Sequence, residues 1–108
     1  MQKIKRTFTT LSVAALIAGC VFVQPTEEGK KVRVLTAPEV ERCRSLGTLT
    51  SQVADRVGAI PRSQEAVQDD VLVNAKNAAA SMGADTIVPT SQVQDGKQTF
   101  GVYRCLLP

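Results

Sequence analysis

This 108-residue chain contains three cysteines, and their thiols are its most reactive side chains. Cys20 follows two small residues near the N-terminus, whereas Cys43 and Cys105 lie in the rest of the chain. A thiol can be acylated, paired in a disulfide, used as a nucleophile or bound to a metal. Because the sequence has no histidine, a nucleophile would lack its usual base, and a structural zinc site, which needs about four Cys or His ligands, would lack most of them. We therefore expect no catalytic residue and no metal site.

The residues before Cys20 have the composition of a targeting signal. Lys3, Lys5 and Arg6 form a basic head, an apolar run broken by one serine follows over residues 11–18, and the first acid is Glu27. The run is shorter than the roughly 20 residues that an apolar helix needs to cross a bilayer. This order of segments predicts a signal peptide over residues 1–19.

Residues 17–20, with the sequence IAGC, resemble a bacterial lipobox. The resemblance implies that Cys20 becomes the first mature residue and carries a diacylglyceryl group and an N-acyl chain. Since each buried CH₂ contributes ~0.8 kcal/mol, two or three acyl chains hold a protein stably on a membrane. Val21 in place of an aspartate implies the outer membrane, with the domain facing the periplasm. The alternatives are an ordinary secretory signal with a chance cysteine and an uncleaved helix.

Removal of residues 1–19 leaves 89 residues, enough for one small domain. That part carries ten basic and ten acidic side chains, so the basic surface that a nucleic-acid-binding protein needs is not indicated. A domain of this size often needs a covalent staple. In the oxidising periplasm a disulfide between Cys43 and Cys105 is the default, and it would contribute roughly 4 kcal/mol in the chain-entropy model. A redox pair is the alternative, although the CxxC spacing is absent.

The mature chain divides into a lipidated N-terminus with a short tether, residues 20–30, and a domain, residues 31–108. Pro25 and Gly29 mark the tether, whose residues 21–29 reach at most about 30 Å. Period-two alternation predicts strands over residues 31–36 and 43–51, and Gly47 indicates a bulge or a close backbone contact in the second of them. Gly58 and Pro61 favour a loop over residues 52–61, with a continued strand or a short helical turn as the alternatives.

A long helix is predicted from the N-cap Ser63 to Gly83, which can adopt the left-handed conformation that ends a helix. One sector of this helix is apolar and contains Val67, Val71, Ala75, Ala78, Ala79 and Met82. Two more strands follow, joined by a hairpin turn at Asp95-Gly96. The order β-β-α-β-β predicts an α+β fold in which one long helix packs on a small, mainly antiparallel four-stranded sheet.

Four motifs of the domain together resemble a family of short Gram-negative lipoproteins whose periplasmic domain has no assigned function. They are V-R-V, C-x-x-L-G, N-A-K-N-A-A-A-S-M-G-A-D-T-I-V and G-V-Y-R-C, which span residues 32–105. The family motif has cysteines at the positions of Cys43 and Cys105, which supports their pairing. The domain is also distantly similar to the small disulfide-bonded outer-membrane lipoprotein that senses envelope stress in the Rcs phosphorelay.

The remaining polar residues indicate binding rather than catalysis. Tyr103 and Arg104 could form a recognition patch, since both residue types are enriched at interfaces, but a packed tyrosine and a snorkelling arginine are the commoner arrangement. Asp69 and Asp70 are interpreted as a solvated pair at the start of the helix and Asp85 as a turn residue. We expect a non-catalytic domain that binds an envelope protein or peptidoglycan. The alternative is a small-molecule binder or stress sensor that uses the cleft between helix and sheet.

Overall fold

The computed structural model describes residues 23–106, so the predicted signal peptide and Cys20 lie outside the described part of the chain. The elements in chain order are α1 (Glu27–Lys30), β1 (Arg33–Val34), a 3₁₀ helix (Ala37–Val40), β2 (Arg44–Gln52), β3 (Arg56–Val57), β4 (Ile60–Pro61), α2 (Gln64–Ser81), β5 (Thr86–Pro89) and β6 (Lys97–Arg104). Four strands form one sheet in the order β1-β5-β6-β2. The β5–β6 and β2–β6 pairs are antiparallel and the β1–β5 pair is parallel. The predicted α+β class, with one long helix on a four-stranded sheet, is confirmed.

The helix α2 has the predicted ends. The side chain of Ser63 accepts a hydrogen bond from the Ala66 N–H at 3.1 Å, and Gly83 has the expected positive φ of 85°. The buried positions are Val67, Val71, Ala75 and Ala79, each four residues after the one before. Ala78 is only half-buried and Met82 is 43% exposed, so their assignment to the core face was wrong. A row of residues spaced by four is inclined to the helix axis, and contact with the sheet follows this row rather than a sector parallel to the axis.

A bulge at Gly47 brings the two leucines of β2 to the same face of the sheet. Residues three apart in a regular strand point to opposite faces, yet Leu46 and Leu49 both pack against the core under α2. The register between β2 and β6 shifts between Ser45 and Gly47, and Gly47 has φ +117°, a conformation that side chains disfavour. The predicted bulge is thus the feature that places both leucines in the core.

The core lies between α2 and the central strands. Ile87 of β5 and Phe100 and Val102 of β6 are fully buried against the apolar row of the helix. On the opposite face of the sheet, Thr86 and Val88 are also buried. The connection between the two edge strands β1 and β2 contains the 3₁₀ helix, whose Val40 is also buried.

The disulfide between Cys43 and Cys105 is present and joins the start of β2 to the end of β6. Cys43 directly precedes Arg44 and Cys105 directly follows Arg104, which are register partners, and the Cα atoms of the two cysteines are 4.5 Å apart. This is the spacing of opposed residues in a non-hydrogen-bonded antiparallel pair. The bridge therefore fits the ladder without displacing either strand.

Two connections also bear on the predictions. The Asp95-Gly96 turn is confirmed: Gln94 and Lys97 bond to each other across it, and both central residues have positive φ, 53° and 75°, as a type I′ turn requires. The segment 52–61, predicted to be a loop, contains the short β3–β4 hairpin, which turns at Gly58. Each strand of this hairpin has only two paired residues, and an alternating pattern of two residues is too short to be recognised in the sequence.

The inclined row of buried residues predicts different costs for two neighbouring alanines. Ala79→Leu should lower the free energy of unfolding by ~1–3 kcal/mol, because added methylenes in a close-packed contact force the helix away from the sheet. Ala78→Leu, the matched control one residue earlier, should cost clearly less because that side chain is half-exposed. Denaturant unfolding of both variants measures the difference, and equal losses would contradict the assigned face.

Candidate functional site

The side chain of Asn77, in the C-terminal part of α2, holds the segment before β1. Its Oδ1 accepts hydrogen bonds from the Thr26 N–H at 3.0 Å and the Thr26 hydroxyl at 3.2 Å. Its Nδ2 donates to the carbonyl of Gln24 at 2.8 Å. Gly29 is buried against this amide, and a Cβ at that position would collide with Asn77. The chain from residue 24 to residue 30 is therefore packed on α2.

This packing differs from the predicted tether. The sequence interpretation gave residues 20–30 to a linker with no element of its own, whereas residues 27–30 form the one-turn helix α1. The Thr26 hydroxyl begins this turn by accepting a hydrogen bond from the Gly29 N–H at 2.9 Å. Four residues are too few for a periodic pattern, and the partner side chain lies about 50 positions further along the chain. The linker interpretation thus holds at most for the residues before Gln24.

Asp85 connects the C-terminal end of the domain to the sheet. Its carboxylate accepts hydrogen bonds from the N–H groups of Cys105 and Leu106, both at 2.8 Å, and from the hydroxyl of Thr86 at 2.9 Å. Burial is the largest influence on the pKa of Asp85 and raises it, but these three hydrogen bonds and the charge of Arg33 outweigh burial and hold the pKa below its ordinary value. An ionised carboxylate that accepts three fixed bonds beside the disulfide is a structural group and a poor general base.

Asn74 and Ser51 form a second polar contact between helix and sheet. The hydroxyl of Ser51, which is 1% exposed, donates to the carbonyl of Val71 at 2.7 Å. It accepts in turn from Nδ2 of Asn74 at 3.0 Å. Asparagine is a poor residue for a helix interior. The presence of both Asn74 and Asn77 in α2 is thus a sequence signal that their side chains bind groups outside the helix.

Asp70 is paired rather than solvated, contrary to the sequence interpretation. Its carboxylate binds the guanidinium of Arg62 at 2.7 Å, and the two side chains are 13% and 8% exposed. Arg62 also donates to the carbonyl of Ala54 at 2.7 Å. This pair fastens the segment with the β3–β4 hairpin to α2, while Asp69 is exposed. The two aspartates therefore do not act together.

Tyr103 and Arg104, which the sequence offered as a possible recognition patch, are neighbours on β6. Adjacent residues of a strand point to opposite faces. Arg104 donates to the carbonyl of Gly83 at 2.8 Å, where a cation suits the C-terminal end of α2. The ring of Tyr103 lies over Gly101, so that a Cβ added there would be 3.0 Å from the ring. Both side chains thus have structural contacts.

A groove of about 630 Å³ runs between α2 and the ends of β5 and β6. Val34, Leu72 and Val93 contribute apolar surface to it. Its polar lining contains four glutamines, Gln64, Gln68, Gln92 and Gln98, and no charged side chain. Amides both donate and accept hydrogen bonds, so the groove suits an uncharged polar ligand. A smaller cavity of about 220 Å³ lies by the β3–β4 hairpin and includes Arg56 and Asp95.

Two further properties concern residues 23–106 only. No cluster of three or more His, Cys, Asp or Glu side chains there could share a metal ion. None of the helices in that range is both long enough and apolar enough to cross a membrane.

The hydrogen bonds of Asp85 predict a stability that depends on its charge. Because the pKa is lowered in the folded state, this stabilisation is complete above the ordinary pKa of 3.8 and is lost as the pH falls through the folded value. Asp85→Asn should cost roughly 1 kcal/mol at pH 7, less than fully buried bonds to a charged group because the carboxylate is partly exposed. The difference from wild type should shrink below pH 3.8.

Urea unfolding at several pH values measures both effects. Asp69→Asn, an exposed control with the same change in charge, should show neither of them. A loss of stability in Asp85→Asn that persisted at low pH would contradict the role of Asp85.

A known protein family matches almost the whole of the described domain. A family described as a domain of unknown function (DUF4156) matches residues 23–105, from the segment held by Asn77 to the second disulfide cysteine. Neither the curated proteins nor the solved structures contain a match to the chain. Because the match covers most of its length, this chain belongs to the DUF4156 family.

Proposed function

We propose that this protein is an outer-membrane lipoprotein whose periplasmic domain binds another envelope component without catalysing a reaction. The observation that carries the proposal is that the polar residues of its motifs are engaged in structure. Asn74, Asn77, Asp85 and Arg104 each bind another segment of the same domain. With these side chains engaged, function would rest on the exposed surface of the domain, which suits binding to an envelope protein or to peptidoglycan.

The proposed anchor would hold the domain directly at the membrane. Lipidation of Cys20 would leave only residues 21–23 between the lipid and Gln24, the first residue bound by Asn77. This path spans at most about 14 Å at ~3.3–3.6 Å per residue. That is half of the reach expected from an unstructured tether of residues 21–29. The side of the domain that carries α2 would therefore face the lipid surface.

The anchor is tested by two substitutions at neighbouring positions. Cys20→Ala should abolish incorporation of labelled fatty acid and remove the protein from the outer-membrane fraction, because no acyl chain can be attached. Val21→Asp, the matched control, should keep the lipid but move the protein to the inner membrane. Fractionation of the cell envelope measures both outcomes. Retention of Cys20→Ala in the outer membrane would contradict the proposed anchor.

A second candidate function is favoured by the groove with four glutamines. The chain would then be a small-molecule binder or an envelope-stress sensor, with a ligand between α2 and the sheet. The volume of about 630 Å³ lies within the ~300–1,000 Å³ typical of ligand sites. The absence of charge among the lining residues favours a neutral polar compound such as a sugar.

A thermal-shift screen against neutral periplasmic sugars separates the two candidates. A ligand at 100 times its Kd stabilises the folded state by ~2.7 kcal/mol, which raises the Tm of a domain this small by about 10–20 °C at ~4–8 °C per kcal/mol. Gln68→Ala should remove the shift because Gln68 is exposed in the groove. Gln52→Ala, an exposed glutamine that does not line it, should keep the shift. If no compound raises the Tm, the sensor candidate is rejected in favour of the first proposal.

A further inference from the structure

The outer edge of β2 carries backbone groups that bond to nothing in the described chain. β2 is the last strand of the sheet and pairs only with β6. The Val53 N–H bonds to the carbonyl of Gly96, and inward-bonding and outward-facing residues alternate in an antiparallel pair. Thr48, Thr50 and Gln52 therefore direct their N–H and C=O groups away from β6.

The side of β6 that faces β5 gives the same alternation. Lys97, Thr99 and Tyr103 bond through their backbones to residues on the β5 side, so they do not bond to their register partners on β2. These partners include Thr50 opposite Thr99 and Gln52 opposite Lys97. Two independent sets of hydrogen bonds thus assign the same free groups to β2.

This edge also lacks the features that keep sheets from associating. Natural edge strands are protected by charged residues, prolines, bulges or a covering segment. Residues 45–54 contain neither a charge nor a proline, and the bulge at Gly47 lies before the three outward-facing residues. The side chains of Thr48, Thr50 and Gln52 are exposed. The edge is thus suited to pairing with another strand.

We propose that β2 pairs with β2 of a second copy of this chain, antiparallel and about a two-fold axis through Thr50. This register uses all three outward-facing residues: Thr50 lies opposite Thr50, and Thr48 lies opposite Gln52. The facing side chains are neutral hydroxyls and amides, so no like charges meet. The two sheets join into one continuous sheet.

The symmetry of this pairing favours a second copy over another partner. The two-fold axis between antiparallel strands of one sheet is perpendicular to the sheet, so both α2 helices lie on the same face. The N-terminal segments are packed on α2, and both therefore leave the dimer on one side. Two lipid anchors can then enter the same membrane. This last step rests on the proposed function, whereas the strand pairing itself does not.

The pairing should be weak in solution. Contact over residues 48–52 buries far less than the ~1,200 Å² of a stable interface. Confinement of both copies to one membrane raises their effective concentration, as tethering does. Cross-linking is therefore a better probe than the oligomeric state of a dilute sample.

The experiment uses the full-length chain, first purified in detergent at high concentration and then in vesicles, with a short bismaleimide cross-linker. Thr50→Cys should give a homodimer at several times the yield of Glu65→Cys, an exposed control on α2. Thr48→Cys alone should give little, whereas a mixture of Thr48→Cys and Gln52→Cys should cross-link well. Adding Thr50→Lys to both members of the mixture should abolish the product. Gln94→Lys, which introduces the same charge in the hairpin turn, should not.

Three results would overturn the proposal. The first is a Thr50→Cys yield no higher than that of Glu65→Cys in both detergent and vesicles. The second is a mixture that cross-links no better than its single variants. The third is a cross-link in cells to a different protein with no homodimer, which would assign the edge to an extended strand of that partner. Because the detergent experiment does not need the lipid, loss of the proposed anchor and loss of the pairing are observed separately.

Discussion

The disulfide between Cys43 and Cys105 is the constraint on which the rest of the domain depends. It joins positions 62 residues apart at the point where β2 and β6 begin their pairing, and a bridge over so long a loop contributes roughly 4 kcal/mol in the chain-entropy model. Close to this end of the ladder, the register between β2 and β6 shifts once, at the bulge by Gly47. That bulge in turn brings Leu46 and Leu49 to one face, and Ser51 into contact with α2.

Polar side chains of the sequence motifs also hold the segments of the domain together. Asn77 holds the N-terminal segment, Asn74 and Ser51 join helix to sheet, and Asp85 binds the backbone next to Cys105. A small domain with few large apolar residues gains from such fixed hydrogen bonds, because its apolar core is limited. Folding therefore accounts for the contacts that these side chains make in the described chain. The two surfaces that we propose for function are the groove between helix and sheet and the free edge of β2.

Features with a local cause were predictable from the sequence. The ends of α2 follow from Ser63 and Gly83, the hairpin from Asp95-Gly96, and the bulge from Gly47 in an alternating strand. The disulfide followed from the compartment implied by the signal and from the family resemblance, since the chain has only one further cysteine.

Features that depend on distant partners were not predictable. The parallel β1–β5 pair involves only two residues of each strand, and the ion pair of Arg62 with Asp70 has no pattern in the sequence. The packing of residues 24–30 depends on an asparagine about 50 positions away. Of the candidate sites, the groove and the edge of β2 both arise from tertiary structure.

Intact mass spectrometry of the native protein, isolated without reductant and treated with an alkylating reagent, tests the account most directly. We expect a chain that begins at Cys20, carries lipid there and takes up no alkyl group, whereas a chain without lipid, or one with two alkylated cysteines, would contradict it.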